Sequence, residues 1–175
     1  MAQIDRNFAQ PASVNGARFL IVEARFYEAI GEMLLAGAKA ALHKAGAEVD
    51  VVSVPGALEI PPAIRIACGQ HAYAGVVALG CIIRGETYHF EVVSNESAAG
   101  MGRVALEFGV PVVNAVLTTE NEEQARQRVA EKGRDAARVA MEVIDKRRHE
   151  MRFQVINLPQ CFMPGYEEFN HGDIG

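Results

Sequence analysis

Short apolar runs alternate along this chain with longer segments of helical spacing, and this alternation limits the possible folds more than any other feature. Four apolar runs have the length of strands that are buried on both faces. They cover 18–24, 48–54, 75–83 and 110–119. Between and after them, apolar residues recur with helical spacing. These predicted helices cover 27–46, 58–69, 89–109 and 120–150, the last being one helix or two with a bend at Gly133.

Strands and helices in strict alternation indicate a parallel sheet with right-handed crossovers and helices on both faces. We therefore predict an α/β, flavodoxin-like three-layer αβα sandwich, whose four-stranded parallel sheet has the order 2-1-3-4. The predicted domain covers 17–150, between an N-terminal arm (1–16) and a C-terminal extension (151–175). Because so small a sheet exposes its edges, we also expect contacts with other subunits.

Composition narrows the expected partners and compartment. A chain of 175 residues fits one domain, and its net charge of −5 argues against a nucleic-acid partner. We find neither a signal-peptide pattern nor an apolar run of the length that spans a membrane. Three cysteines, Cys68, Cys81 and Cys161, are too far apart for a disulfide framework or a CxxC metal site. We therefore expect a reduced, cytoplasmic setting.

Chemically useful side chains follow all four predicted strands. In open α/β sheets ligands bind beyond the carboxyl ends of the strands, where these four loops should meet. Together they offer an aromatic ring, glycine turns with free N–H groups, a carboxylate, a hydroxyl and an imidazole. The loops are 25–27, 55–59, 84–89 and 118–121.

Each of these groups also has a purely structural interpretation. Phe26 alone would more often belong to a core, and Glu59 is an ordinary acid for the first turn of a helix. The turn Gly85–Thr87 either caps a helix or binds an anion with its N–H groups. His89 alone is weak evidence, although imidazoles exchange protons near neutral pH. Their shared position at one edge of the sheet favours a site.

Several common motifs do not apply. The chain has no GxxxxGK[ST] loop and no GxSxG, and its third strand does not end in the aspartate of a phospho-acceptor. The match of 100–105 to GxGxxA lies inside a predicted helix. The five histidines are scattered without zinc-ligand spacing. These motifs therefore indicate neither a zinc site nor a dinucleotide site.

Four segments, in order, strongly resemble the 6,7-dimethyl-8-ribityllumazine synthases. They are RFYEAI with LLAGAKAAL, VPGALEIP, ALGCIIRGETYHFEVVSNESAAG and GVPVVNAVLTTENEEQARQR. The similarity covers about 17–150 and implies the fold predicted above. It also implies a transferase of the penultimate step of riboflavin biosynthesis, which needs no cofactor. In that step 5-amino-6-(D-ribitylamino)uracil condenses with 3,4-dihydroxy-2-butanone 4-phosphate, releasing phosphate and water.

The resemblance implies a role for individual residues. Phe26 would stack on the pyrimidine, and His89 would transfer protons. The remaining positions would bind substrate. They are Ala57, Leu58 and Glu59 beside the ribityl chain and ring, Cys81, Ile82 and Ile83 near the ring, Gly85, Glu86 and Thr87 at the phosphate, Asn114 at the uracil edge, Arg128 as a phosphate-binding arginine, and Lys132 as a basic position nearby. At Glu86 the expected contact is its backbone N–H.

The resemblance also implies an assembly. The site would lie between adjacent subunits of a homopentamer, with Asn114 and Arg128 coming from the neighbour. Twelve pentamers form a hollow shell in some members. Two other functions stay open, a flavin or lumazine carrier on the same scaffold and a mainly structural shell protein. The aromatic-containing extension 151–175 is either a loose tail or a segment that packs on a subunit.

Overall fold

The computed structural model of the chain describes the backbone of residues 14–157 and the side chains of residues 14–147. The strands are β1 (Arg18–Ala24), β2 (Glu48–Val54), β3 (Gly75–Ile83) and β4 (Val112–Thr119). The helices are α1 (Glu28–Lys44), α2 (Ile60–Gln70), α3 (His89–Phe108) and α4 (Glu122–Asn157), and a 3₁₀ turn (Ala57–Glu59) precedes α2. Most of the predicted arm and extension, 1–13 and 158–175, lies outside the described residues.

The strands form one parallel sheet in the order β2-β1-β3-β4, which confirms the predicted topology. Phe19 on β1 lies opposite Val49 on β2 and Gly75 on β3, and Ile82 on β3 lies opposite Thr118 on β4. The central strands β1 and β3 are buried along almost their whole length. Their continuous apolar runs therefore follow from being covered on both faces.

Two hydrophobic cores, one on each face of the sheet, make the molecule a three-layer sandwich. Successive residues of β1 point to opposite faces, so Phe19 and Ile21 pack with α1 and α4. Leu20 and Val22 pack with α2 and α3. In the described part of the chain, no helix is long and apolar enough to cross a membrane.

Several predicted element ends differ from the observed ones by one or two residues, and α4 continues to Asn157 instead of ending at residue 150, so it enters the predicted extension. Two of these differences have a clear local reason. Strand β4 begins at Val112 instead of residue 110. The strand starts later because Pro111 has no N–H to donate to a neighbouring strand. The carbonyl of Pro111 still accepts a hydrogen bond from Val76 N at 2.8 Å. Helix α3 ends at Phe108, because Gly109 adopts a left-handed conformation with φ of 59°. Arg147 from α4 then donates to the carbonyl of Gly109 at 2.7 Å.

Helix α4 runs without interruption through Gly133, so the segment is one helix and not two. Gly133 instead permits a close crossing with α1. A Cβ at Gly133 would lie 2.2 Å from the carbonyl oxygen of Leu34, and one at Gly37 would lie 3.3 Å from the amide of Arg134. The two backbones therefore touch, and a side chain at Gly133 has no room.

We predict that Gly133→Ala lowers the melting temperature by several degrees. The methyl group must push α1 and α4 apart, and such overpacking typically costs about 1–3 kcal/mol. Gly102→Ala on α3 is the matched control, because nothing lies within 4 Å of a Cβ at that position. Alanine is the better helix former, so the control should melt at the wild-type temperature or higher. Equal melting temperatures for the two variants, measured by circular dichroism, would contradict the close crossing.

Candidate active site

A cavity of about 350 Å³ opens at the carboxyl edge of the sheet. Its lining comes from the loops after β1, β2 and β3, which meet there because the strands are parallel. Most of the predicted site residues lie in this lining. They are Phe26, Ala57, Leu58, Glu59, Cys81, Ile82, Ile83, Gly85, Thr87 and His89.

Phe26 presents an aromatic ring to solvent at the mouth of the cavity. Its side chain is 74% exposed, so its interpretation as a core residue is wrong. The neighbouring ring of Tyr27 supports it edge-on, with centroids 5.1 Å apart and an angle of 67° between the planes. An exposed ring held in this way has a free face on which a flat ligand can stack.

The loop after β2 places a carboxylate beside the same opening. Glu59 ends the 3₁₀ turn, and its Oε2 lies 3.0 Å from where a Cβ of Gly56 would be. Glycine at position 56 therefore leaves room for the carboxylate to lie across the turn. Leu58, 39% exposed, adds apolar surface next to this acceptor. A carboxylate in this place accepts hydrogen bonds from hydroxyl groups.

The turn before α3 has the features of a small anion site. Residues 85–87 are exposed, and no atom lies within 4 Å of a Cβ built on Gly85. Thr87 Oγ1 accepts a weak hydrogen bond from His89 N at 3.4 Å. Helix α3 then runs for 20 residues, and its amino end carries the positive end of the helix dipole. N–H groups at such an end favour phosphate.

His89 is the first residue of α3, so its imidazole stands where this turn meets the cavity. The side chain is exposed, which leaves it accessible to a bound molecule. A proton donor and acceptor therefore lies where the aromatic part of the cavity lining meets the turn. This arrangement supports proton transfer to or from a ligand that spans both.

Four predicted residues do not line this cavity: Glu86, Asn114, Arg128 and Lys132. Asn114 is exposed on β4, and its Oδ1 accepts from Val116 N at 3.0 Å. Arg128 on α4 donates to the carbonyl of Gln124 at 2.7 Å. Lys132 lies one helical turn further along and is half-buried. Their binding roles stay predictions, as does a backbone contact at Glu86.

The structure adds residues that the sequence prediction omitted, namely Tyr27, Gly56, Phe90 and Val93. Tyr27 and Gly56 directly adjoin predicted residues in the same loops. Phe90 and Val93 are three residues apart on α3, so they lie on one face of the helix. Helical spacing counted from His89 would have found Val93, four residues further on, but not Phe90.

Cys81 forms part of the cavity floor and is not poised for nucleophilic attack. Burial raises the pKa of its thiol to about 11; the nearby Glu122 carboxylate also raises this pKa, and a hydrogen bond with Thr119 opposes the rise. Burial likewise raises the pKa of Tyr27, with smaller contributions from Cys81 and Glu122. Both groups are therefore neutral near pH 7 and contribute shape and apolar surface.

The described residues contain no cluster of three or more histidine, cysteine, aspartate or glutamate side chains that could hold a metal ion. The groups that converge are instead a ring, a carboxylate, an imidazole and a helix amino end. Together they define a flavodoxin-like α/β protein with a small-molecule site at the carboxyl edge of its sheet.

Comparison with known proteins gives the particular family. Residues 16–148 match the family model for 6,7-dimethyl-8-ribityllumazine synthase. The chain belongs to this family, which confirms the resemblance found in the sequence.

Individual relatives bearing that name agree over most of their length. The synthase of Methylocella silvestris is 52% identical over 150 residues, covering 81% of this chain and 88% of the relative. The synthase of Azorhizobium caulinodans is 52% identical over 148 residues, covering 79% and 91%. That of Beijerinckia indica is 55% identical over 135 residues, covering 74% and 75%.

We predict that iodoacetamide modifies Cys81 slowly in the folded protein at about pH 7.5, because the thiolate is the reactive form. The rate should rise as the pH approaches the thiol pKa of about 11. Peptide mass spectrometry measures this residue separately from the other cysteines. The denaturant-unfolded chain at the same pH is the control, and it should react quickly. Equally fast modification of the folded protein near neutrality would contradict a protonated, buried thiol.

Proposed function

We propose that this chain catalyses the condensation of 5-amino-6-(D-ribitylamino)uracil with 3,4-dihydroxy-2-butanone 4-phosphate to 6,7-dimethyl-8-ribityllumazine. The observation that carries the proposal is the convergence of Phe26, Glu59 and His89 with the turn before α3 in one cavity. Membership of the lumazine synthase family gives this arrangement its substrates. Phosphate and water are the other products.

The pyrimidine would occupy the mouth of the cavity. Its flat ring stacks on the exposed face of Phe26, which is worth about 0.5–1.5 kcal/mol beyond the area buried. Glu59 accepts hydrogen bonds from hydroxyl groups of the ribityl chain. Ile82 and Ile83, at the end of β3, supply the apolar surface under the ring. These contacts leave the 5-amino group directed toward the helix amino end.

The phosphate of the second substrate would bind at the turn before α3. The N–H groups of Gly85, Glu86 and Thr87 and the dipole of α3 stabilise its negative charge. The absence of a side chain at Gly85 allows the phosphate to approach the backbone. Its ketone carbon then lies on the His89 side of the turn, within reach of the amino group.

His89 would move the protons of the reaction. The amine attacks the ketone and, after loss of water, an imine forms; phosphate elimination, ring closure and loss of a second water follow. Each stage needs a proton removed from nitrogen or carbon, or delivered to a leaving oxygen, and an imidazole does both near neutral pH. Holding the two substrates together contributes the larger share of the rate enhancement, because it can lower the activation free energy by up to roughly 7–11 kcal/mol in favourable cases.

The site would be completed by a second copy of the chain. The cavity lining contains no arginine or lysine, although a phosphate ester is to be bound there. We assign Arg128, Lys132 and Asn114 to the site of an adjacent subunit in a homopentamer or a shell of twelve pentamers. The exposed edge strand β2, with Val51 36% exposed, and the exposed Leu106 support burial between subunits. We place this enzyme in the cytoplasm, where its cysteines stay reduced.

The direct test mixes the purified protein with both substrates and follows lumazine absorbance and released phosphate together. Both signals should rise in equal amounts, and omission of either substrate should abolish them. A carrier or a purely structural protein would bind or assemble without releasing phosphate in excess of the uncatalysed reaction. That result would overturn the proposed activity.

We predict that His89→Ala lowers kcat by about 10²–10⁴-fold, the usual contribution of a general acid–base group. Turnover should stay measurable, because the substrates are still held together. His43→Ala is the matched control, since His43 is exposed near the end of α1, outside the cavity lining. Wild-type kcat in His89→Ala would remove this residue from the mechanism.

We predict that Arg128→Ala raises the KM for the butanone phosphate about tenfold or more, with a smaller effect on the KM for the pyrimidine. The reason is the loss of a charged hydrogen bond to phosphate, worth about 1.5–3 kcal/mol. Arg126→Ala on the same helix is the control; Arg126 is exposed and pairs with Glu122. An effect confined to the pyrimidine would contradict the assignment.

A further inference from the structure

Arg84 occupies the junction between β3 and the turn at residues 85–87, and it is held there by several contacts. Its backbone N donates to the carbonyl of Thr119 at 2.9 Å. Its guanidinium forms an ion pair with Glu91, and its Nε lies 2.8 Å from Oε2 of Glu120. The guanidinium carbon also lies 4.1 Å from the ring centroid of Phe90.

These partners lie on both sides of the turn. Phe90 and Glu91 belong to the first turn of α3, directly after His89, and Phe90 itself lines the cavity. Glu120 belongs to the connection between β4 and α4. The side chain of Arg84 therefore connects the end of β3 to the start of α3, and it connects both to the loop between β4 and α4.

The charges around Arg84 indicate that it is not a phosphate ligand. Two carboxylates already accept bonds from one guanidinium, so the cluster carries no excess positive charge. Arg84 is also absent from the cavity lining, although its neighbours on both sides contribute to it. Its side chain acts on the site through the residues that it holds.

The link is stable across the pH range in which an imidazole titrates. The hydrogen bond from Arg84 holds the pKa of Glu91 below its ordinary value, and hydrogen bonds with Glu91 and then Glu120 raise the pKa of Arg84. Because the pKa of Glu91 is lowered, the contact between Arg84 and Glu91 is fully formed at every pH above the ordinary pKa of a carboxyl group. It is lost as the pH falls through that lowered pKa, well below neutrality.

We propose that Arg84 is a positioning residue that holds the phosphate-binding turn and His89 in register with the end of β3. The inference rests on the proposed function of this site. Exposed ion pairs contribute little to stability by themselves, so the expected effect lies in catalysis. A turn tied at both ends loses less freedom when it binds phosphate, and displacement of a reacting group by about 1 Å can cost about 10²-fold in rate.

The test compares Arg84→Gln and Arg84→Lys with the control Arg65→Gln in steady-state kinetics with each substrate varied. Arg65 forms an exposed ion pair with Glu107 at 3.3 Å, which links α2 and α3 away from the cavity. Arg84→Gln should raise the KM for the butanone phosphate and lower kcat, each about tenfold, with the pyrimidine KM within about twofold of the control. Arg84→Lys keeps the charge without the planar fork, so it should recover only part of the loss.

Melting temperature and pairwise coupling separate positioning from a general structural effect. Arg84→Gln should melt no more than a few degrees below the control. The double variant Arg84→Gln/Glu91→Gln should lose clearly less kcat/KM than the product of the fold losses of the two single variants. If Arg84→Gln does not fold, Glu120→Gln on the exposed loop removes one carboxylate from the guanidinium, and a smaller change of the same kind is expected.

Binding of inorganic phosphate, measured by calorimetry, tests Arg84 independently of turnover. Arg84→Gln should bind phosphate about tenfold more weakly than Arg65→Gln. Kinetic constants and phosphate affinity like those of the control would overturn the role of Arg84, as would equal increases in both KM values. A wild-type protein that binds phosphate without turnover would overturn the proposed function instead, and the phosphate comparison would still decide the role of Arg84.

Discussion

All four strands run in the same direction, and the rest of the molecule depends on this pairing. Because β1 and β3 lie side by side at the centre, the loops that follow them open at the same edge of the sheet. The loop after β2 joins them from one side, so Phe26, Glu59 and His89 meet although they are far apart in sequence. The helices on the two faces bury the apolar strands and keep this edge open.

The site itself divides between an apolar floor and polar groups at the rim. Cys81, a neutral thiol, and the isoleucines that follow it end β3, where burial is nearly complete. The chain leaves the sheet after Ile83. The exposed turn follows at once, and then the amino end of α3 with its imidazole. An abrupt change from buried strand to exposed turn therefore places apolar cavity lining next to a helix amino end, which is the arrangement that the proposed ring and phosphate sites require.

Stability and function draw on different contacts in this fold. The touching backbones of α1 and α4 at Gly133 lie on the face of the sheet that carries the larger core. The contacts of Arg84, in contrast, are exposed or half-exposed and join the end of β3 to the first turn of α3 and to the loop after β4. Packing of the first kind contributes mainly to the free energy of unfolding, whereas links of the second kind mainly restrict the geometry of loops.

Sequence alone was enough for the class of fold and the strand order, because apolar alternation and strand–helix turns are local patterns. The family followed from four segments that resemble the lumazine synthases. The sequence also placed Phe26, Glu59 and His89 at one edge, since that follows from parallel topology alone. Other features are visible only in the packed molecule, because no local pattern encodes them. The tertiary structure showed that Gly133 serves a helix crossing and not a bend, that Phe90 and Val93 face the cavity, and that Arg84 joins α3 to the loop after β4. These features arise from contacts between segments distant in sequence, whose partners become defined only when the layers pack.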